Sequence, residues 1–294
     1  MHQSSKTVFF GSGPVAAATL AGLLDAGLNF EAVITKPRAE GHRGSVPVLE
    51  LAAMRNLQTF TPRTKRELSE LFAAHTFTSP VGLVVDYGII IAKDVIGAFP
   101  KGIVNSHFSL LPEWRGADPI TFAVLSGQKQ TGVSLMVINE QLDEGKLLIQ
   151  QTLSLKPDIT TPELTQQLIT ISNSLIVSTL PEYLAGDIKP YNQSVEKPAT
   201  YSRKLTKDDG ILDTAKPATQ LEREIRAYLG WPKSRLTLFG KYDVIVTKAR
   251  IANNPTDGQL IISCGDNTYL EILTLTAPSG KSMSGEAFLR GYKK

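Results

Sequence analysis

An amide and an imidazole stand two residues apart in Asn105-Ser106-His107, directly after the apolar run 102–104. At the end of a β-strand that spacing sends both side chains to the same side. Farther on, Leu142-Asp143-Glu144-Gly145 places a carboxylate in a turn. Together these residues would supply a hydrogen-bond donor, a base that titrates near neutral pH and an anion able to orient it. A side-chain amide can hold an oxyanion without changing its own protonation. Considered alone, His107 reads as structural and Asp143 as a turn carboxylate capping backbone N–H groups. In combination they are equipment for acyl-type transfer, and the chain reads as an enzyme.

The elements that must position these groups follow from hydrophobic patterning. Strands are predicted at 8–11, 31–35, 82–86, 102–105, 133–138 and 147–153, with helices at 15–26, 46–55, 65–74, 119–126 and 162–184. Strands separated by helices imply a Rossmann-like α/β fold, a mostly parallel sheet with helices on both faces. Such sheets bind ligands beyond the carboxyl ends of their strands, which is where Asn105, His107 and Tyr87-Gly88 fall. Residues 1–187 are read as a catalytic domain and the polar, proline-containing stretch 188–207 as a linker. Residues 208–294 are read as a small OB-like β-barrel, with a helix at 218–228 and short strands at 234–239, 243–251, 258–263 and 269–275. There is no internal repeat.

Composition narrows the class. At 294 residues, 42% apolar and 20% charged, the chain has material for two ordinary globular domains. The single cysteine, Cys264, can form no internal disulfide and offers no zinc cluster, so a reducing cytosol is the expected compartment and no metal is expected. No apolar run approaches the ~20 residues of a membrane span. The start of the chain mimics a signal peptide, but Gly11-Ser12-Gly13-Pro14 interrupts its apolar stretch. It reads instead as a buried strand, a glycine turn and a helix with Pro14 in its first turn. The same turn is a poor dinucleotide fingerprint: Ala16 occupies the third glycine position, and the second strand ends in Thr35-Lys36 rather than an acid. Residues 201–294 carry 15 Lys and Arg against 10 Asp and Glu, a net +5, whereas residues 1–200 carry 16 against 18. A basic back half admits a phosphate-bearing partner without requiring one.

The order Asn105-x-His107-x-Ser109-Leu110-Leu111-Pro112, then Trp114-Arg115-Gly116-x-x-Pro119-Ile120 and Leu142-Asp143-x-Gly145, resembles the 10-formyltetrahydrofolate-dependent formyltransferases. Segments 225–232, 258–262 and 277–283 are similar to the C-terminal region of the family members that act on methionyl-tRNA. The resemblance implies that Asn105, His107 and Asp143 are the catalytic trio. It places folate contacts on Ser109, Leu110, Leu111 and Pro112, and a pterin-pocket loop on Val85, Asp86, Tyr87 and Gly88. It implies 10-formyltetrahydrofolate as formyl donor, initiator methionyl-tRNA as acceptor, and a cytoplasmic protein acting as a monomer away from membranes. Lys36, Arg38 and Arg43 are the candidates for acceptor phosphates. Three features depart from the family pattern. Phe108 stands where Gly or Pro is usual, Asp86 replaces a small apolar residue, and the basic loop after the second strand is shortened to 36–44. Two alternatives remain open: a formyltransferase for a nucleotide-linked amino sugar, and a non-catalytic RNA-binding protein on the same scaffold.

Overall fold

The computed structural model describes residues 6–41, 44–253 and 256–292. In chain order the elements begin β1 (Thr7–Gly11), α1 (Pro14–Asp25), β2 (Phe30–Ile34), α2 (Pro47–Met54), β3 (Thr59–Phe60), α3 (Lys65–Ala74), β4 (Gly82–Val85) and α4 (Lys93–Gly97). Next come β5 (Ile103–His107), β6 (Arg115–Gly116), α5 (Pro119–Ser126), β7 (Gln130–Val137), β8 (Lys146–Ser154), α6 (Thr161–Ala185) and β9 (Tyr201–Ser202). The remainder is a short 3-10 turn (Lys207–Gly210), α7 (Ala218–Ala227), β10 (Ser234–Leu238), β11 (Tyr242–Ile251), β12 (Ile261–Cys264), β13 (Thr268–Thr276), β14 (Ser282–Ser284) and α8 (Gly285–Tyr292). Two compact units result. Among the described residues, those within 6–116, 131–153 and 165–201 form the first, and those within 117–130, 154–164 and 202–292 form the second.

The first unit is a seven-stranded sheet in the order β3-β2-β1-β4-β5-β7-β8, flanked by helices. The pairings β2–β3, β1–β2, β1–β4 and β4–β5 are parallel. β7 departs from that pattern and runs antiparallel to β5. All five residues of β1 are buried, as expected of a strand covered on both faces. Phe9 meets Phe30 edge-on, while Phe10, on the opposite face, packs among Phe72, Tyr87 and Phe99. Each such side chain contributes about 1.5–3 kcal/mol by leaving water. Thr64 caps α3 by accepting from Glu67 N, and the Glu67 carboxylate returns to accept from Arg63 N, one residue before the cap.

The second unit holds an antiparallel sheet in the order β10-β11-β13-β12, with β14 added to β13. It is a curled half-barrel, in keeping with the small OB-like barrel expected of this part of the chain. Segment 211–217 touches both of its ends: Ile211 bridges Arg235 at β10, and Pro217 bridges Gly265 beyond β12. Leu221 and Ile225 of α7 pack with Val244, Val246, Leu270, Ile272 and Phe288 in a buried core. The strand expected at 258–263 begins only at Ile261, because Gly258 at φ 89° and Gln259 close a turn with Thr256. α8 lay outside the sequence expectation, although Ser284 caps it through Ala287 N. Gly285 opens it where any Cβ would lie 2.0 Å from the Ile272 carbonyl.

Candidate active site

β5 pairs with β4 on one side, where Val84 lies opposite Asn105, and with β7 on the other, where Ser134 lies opposite His107. Alternation along the strand puts Asn105 and His107 on one side and Ser106 on the other. The Ser106 hydroxyl shares a 2.7 Å hydrogen bond with Ser172 of α6, which fixes that orientation. His107 is 6% exposed. Its Nε2 lies 2.9 Å from the Trp114 carbonyl oxygen, and because a carbonyl can only accept, Nε2 carries the hydrogen. The other ring nitrogen, Nδ1, faces Asp143 Oδ2 at 3.9 Å. Asn105 Nδ2 lies 3.5 Å from Asp143 Oδ1, and Gly116 N–H donates to Oδ2 at 2.7 Å. An amide donor, an imidazole of defined tautomer and a backbone-anchored carboxylate therefore converge beyond the carboxyl end of a parallel-rich sheet.

Asp143 sits in the turn between β7 and β8 at φ 52°. A residue with a side chain pays about 1–3 kcal/mol for that conformation and keeps it only where its surroundings impose it. Here the Gln193 amide donates to the Asp143 and Gly145 carbonyls at 2.7 and 3.0 Å. Arg115 spans Glu144 and Gln193, at 2.7 and 2.8 Å. Gly145 leaves no room for adjustment, since a Cβ there would lie 2.0 Å from the Val137 carbonyl oxygen.

The two segments assigned to the donor follow the ends of the neighbouring strands β4 and β5 and use their side chains differently. Ser109 and Leu111 point inward: the Ser109 hydroxyl donates to the Glu113 carbonyl, and Leu111 is buried. Ser134 Oγ accepts from Leu111 N and donates to the Ser109 carbonyl, and the Gln150 amide donates to the Leu111 carbonyl. Leu110 is half-buried and Pro112 buried. Phe108 is also buried. Following β4, Val85 and Tyr87 are buried. Burial pushes the Tyr87 phenol well above its ordinary pKa, and its hydroxyl has no hydrogen-bond partner among the described residues. Asp86 and Gly88 both take positive φ, 47° and 50°. The Asp86 carboxylate lies across Gly13, where a Cβ would approach its Oδ2 to 2.0 Å.

The three cations assigned to an acceptor have different fates. Lys36 is exposed, with its Nζ above Gly88. Arg38 is turned onto its own loop, donating to the Gly44 carbonyl at 2.6 Å and to Glu50 at 3.1 Å. Arg43 lies outside the described residues. Arg63 lines a groove with Lys36, Arg38 and Glu40; no motif marked it, because it enters from another loop. Gln193 and the Trp114 carbonyl were likewise missed. A polar residue in a proline-rich stretch and a main-chain oxygen leave no signature in sequence.

A transferase site of this build defines a class, and comparison with known proteins gives the family. Residues 5–180 match the formyl transferase family, and residues 204–293 match the formyl transferase C-terminal domain. A methionyl-tRNA formyltransferase of Roseiflexus sp. (strain RS-1) is 37% identical over 94% of this chain and 89% of its own length. The one from Nitratidesulfovibrio vulgaris (strain Hildenborough) is 35% identical over 98% and 93%. The chain belongs to the methionyl-tRNA formyltransferase family. Among solved structures, an N-formyltransferase from Helicobacter canadensis, in complex with folinic acid and dTDP-3-aminofucose, shares the fold. Its TM-score is 0.68 at 17% identity, over 91% of this chain and 98% of that one. A glycinamide ribonucleotide transformylase from Symbiobacterium toebii matches at TM-score 0.54 and 18% identity, and covers only 65% of this chain.

Proposed function

We propose that this protein transfers the formyl group of 10-formyltetrahydrofolate to the α-amino group of initiator methionyl-tRNA, acting as a cytoplasmic monomer. The observation that carries the reading is the convergence of Asn105, His107 and Asp143, in a chain aligned over nearly its whole length with methionyl-tRNA formyltransferases. The neutral amine attacks the formyl carbon, a new C–N bond forms, and the carbonyl oxygen takes up negative charge. Asn105 Nδ2–H donates to that oxygen as the charge develops. As the bond from the formyl carbon to the folate nitrogen breaks, the proton lost by the amine must reach that leaving nitrogen. His107 Nδ1 and the Asp143 carboxylate lie on its route, while the Trp114 carbonyl holds the far side of the ring. The donor set fits a substrate of this kind, for it holds one neutral donor, one proton carrier and one anion. Segment 109–112 is assigned to folate contacts, segment 85–88 to the pterin pocket, and Lys36, Arg38 and Arg43 to acceptor phosphates.

The test incubates purified protein with 10-formyltetrahydrofolate and methionyl-tRNA and measures formyl-methionine, beside a parallel reaction offering a nucleotide-linked amino sugar. Formylation of the aminoacyl-tRNA is expected. Transfer to the sugar alone would replace the acceptor, and tRNA binding with no transfer would reduce the chain to a binding protein.

A further inference from the structure

Segment 191–200, which reads as a linker in the sequence, is bound along the trio in the first unit. Tyr191 and Leu147 exchange two backbone hydrogen bonds, at 2.8 and 2.9 Å, beside the start of β8. Two residues on, Gln193 puts both hydrogens of its amide onto the Asp143 turn, one on the Asp143 carbonyl itself. Its oxygen accepts from Arg115, whose other arm holds Glu144. At the far end, Thr200 grips the second loop of the site. Its hydroxyl accepts from Trp114 N at 2.8 Å, its carbonyl accepts from Arg115 N at 2.9 Å, and its N–H donates to the Pro112 carbonyl at 3.2 Å. Trp114 is the residue whose carbonyl receives the His107 Nε2 hydrogen.

We propose that Gln193 and Thr200 are positioning residues for formyl transfer, Gln193 acting through Asp143 and Thr200 acting through Trp114 on His107. The inference rests on the catalytic reading of the trio given above. Asp143 and Trp114 both carry side chains at positive φ, 52° and 54°. Such residues relax toward ordinary conformations when the contacts that impose the left-handed one are removed. Gln193 is suited to its place because it offers two donors and one acceptor on a single planar group. A glutamate there would set a carboxylate against two carbonyl oxygens. Thr200 has the same relation to Trp114 N, which has to be satisfied for the loop to present its carbonyl to His107. Had the segment only anchored the chain, its polar groups could have met any exposed backbone; both instead meet the residues adjoining the trio.

The experiment measures kcat and KM, for 10-formyltetrahydrofolate and for methionyl-tRNA, in the full chain and its variants. Misplacing a reacting group by about 1 Å costs on the order of 100-fold. Gln193→Ala is therefore expected to lower kcat by about 10- to 100-fold while both KM values change by less than about threefold. Gln193→Met keeps the side chain's length without its polar groups, and is expected to match if the alanine variant folds poorly. Because Gln193 acts through Asp143, the double variant Asp143→Asn/Gln193→Met is expected to be no slower than Asp143→Asn alone. Thr200→Val is expected to lose kcat and to shift the His107 imidazole ¹⁵N resonances, and Thr200→Ser to restore both. Wild-type kcat in folded Gln193→Met and Thr200→Val would overturn the proposal, as would losses that multiply in the double variant. Full activity in Asp143→Asn would instead sink the catalytic reading on which the proposal rests.

Discussion

Asp143 lends its two oxygens to different neighbours, Oδ1 toward the Asn105 amide and Oδ2 to the Gly116 N–H with His107 Nδ1 beyond. In the proposed reaction, the protein itself would hold neutral donor and anion in register, leaving little reorganisation for the transfer step. Removing an oxyanion donor costs about 10²–10³ in rate. Asn105→Ala is expected to lose turnover in that range, and His107→Ala to lose most turnover, in both cases with an unchanged near-ultraviolet dichroism spectrum. Near-normal formylation by either folded variant would remove it from the reaction. Asn105 and His107 could be paired from sequence because strand alternation is local. Asp143 could be placed in a turn, but its approach to Asn105 depends on β7 returning antiparallel beside β5.

The elements that matter most to the site are the tight ones. Gly145 follows Asp143 with the Val137 carbonyl where a side chain would start, and that backbone oxygen cannot swing aside as a flexible chain end would. Gly145→Ala is expected to cost about 1–3 kcal/mol, the usual range for overpacking, and to lower kcat with it. Urea unfolding and turnover measured on the same preparation would check this, and an alanine variant normal in both would contradict the crowding argument. In the second unit, the 3-10 turn Lys207–Gly210 is pinned by Asp209. The Arg203 guanidinium hydrogen-bonded to it, followed by Thr206 N and Oγ1, holds its carboxyl well below the usual carboxylate range. A lowered folded-state pKa means that the unfolded chain binds the extra proton first. This contribution is complete above the unfolded value near 3.9 and is lost as pH falls through the folded one. Urea midpoints are therefore expected to fall less steeply below about pH 4 in Arg203→Gln than in wild type; equal acid slopes would refute the assignment.

At the scale of the whole chain, the two halves differ in charge, and the net +5 lies in residues 201–294. Part of that charge is held locally, as in Arg203–Asp209, Lys216–Glu224 and Arg250–Glu271. Others, such as Lys204, Lys233, Lys241 and Lys248, are exposed. Phosphate contacts made by such residues release counterions, so affinity falls as salt rises. The KM for methionyl-tRNA is expected to climb steeply between about 50 and 200 mM salt while the KM for the folate donor changes little. A tRNA KM indifferent to salt would remove the basic surface from the account.

Sequence by itself determined the parallel-rich α/β sheet, the glycine turn after β1, the second β unit and the common side shared by Asn105 and His107. Each of these follows from local periodicity or from a residue type with one conformational use. Tertiary structure decided the rest. It reversed β7, curled the C-terminal strands into a half-barrel bridged by 211–217, turned Arg38 onto Glu50, and laid Gln193 and Thr200 against the trio. Those outcomes depend on which distant backbone groups a side chain meets, and neither spacing nor composition encodes that meeting.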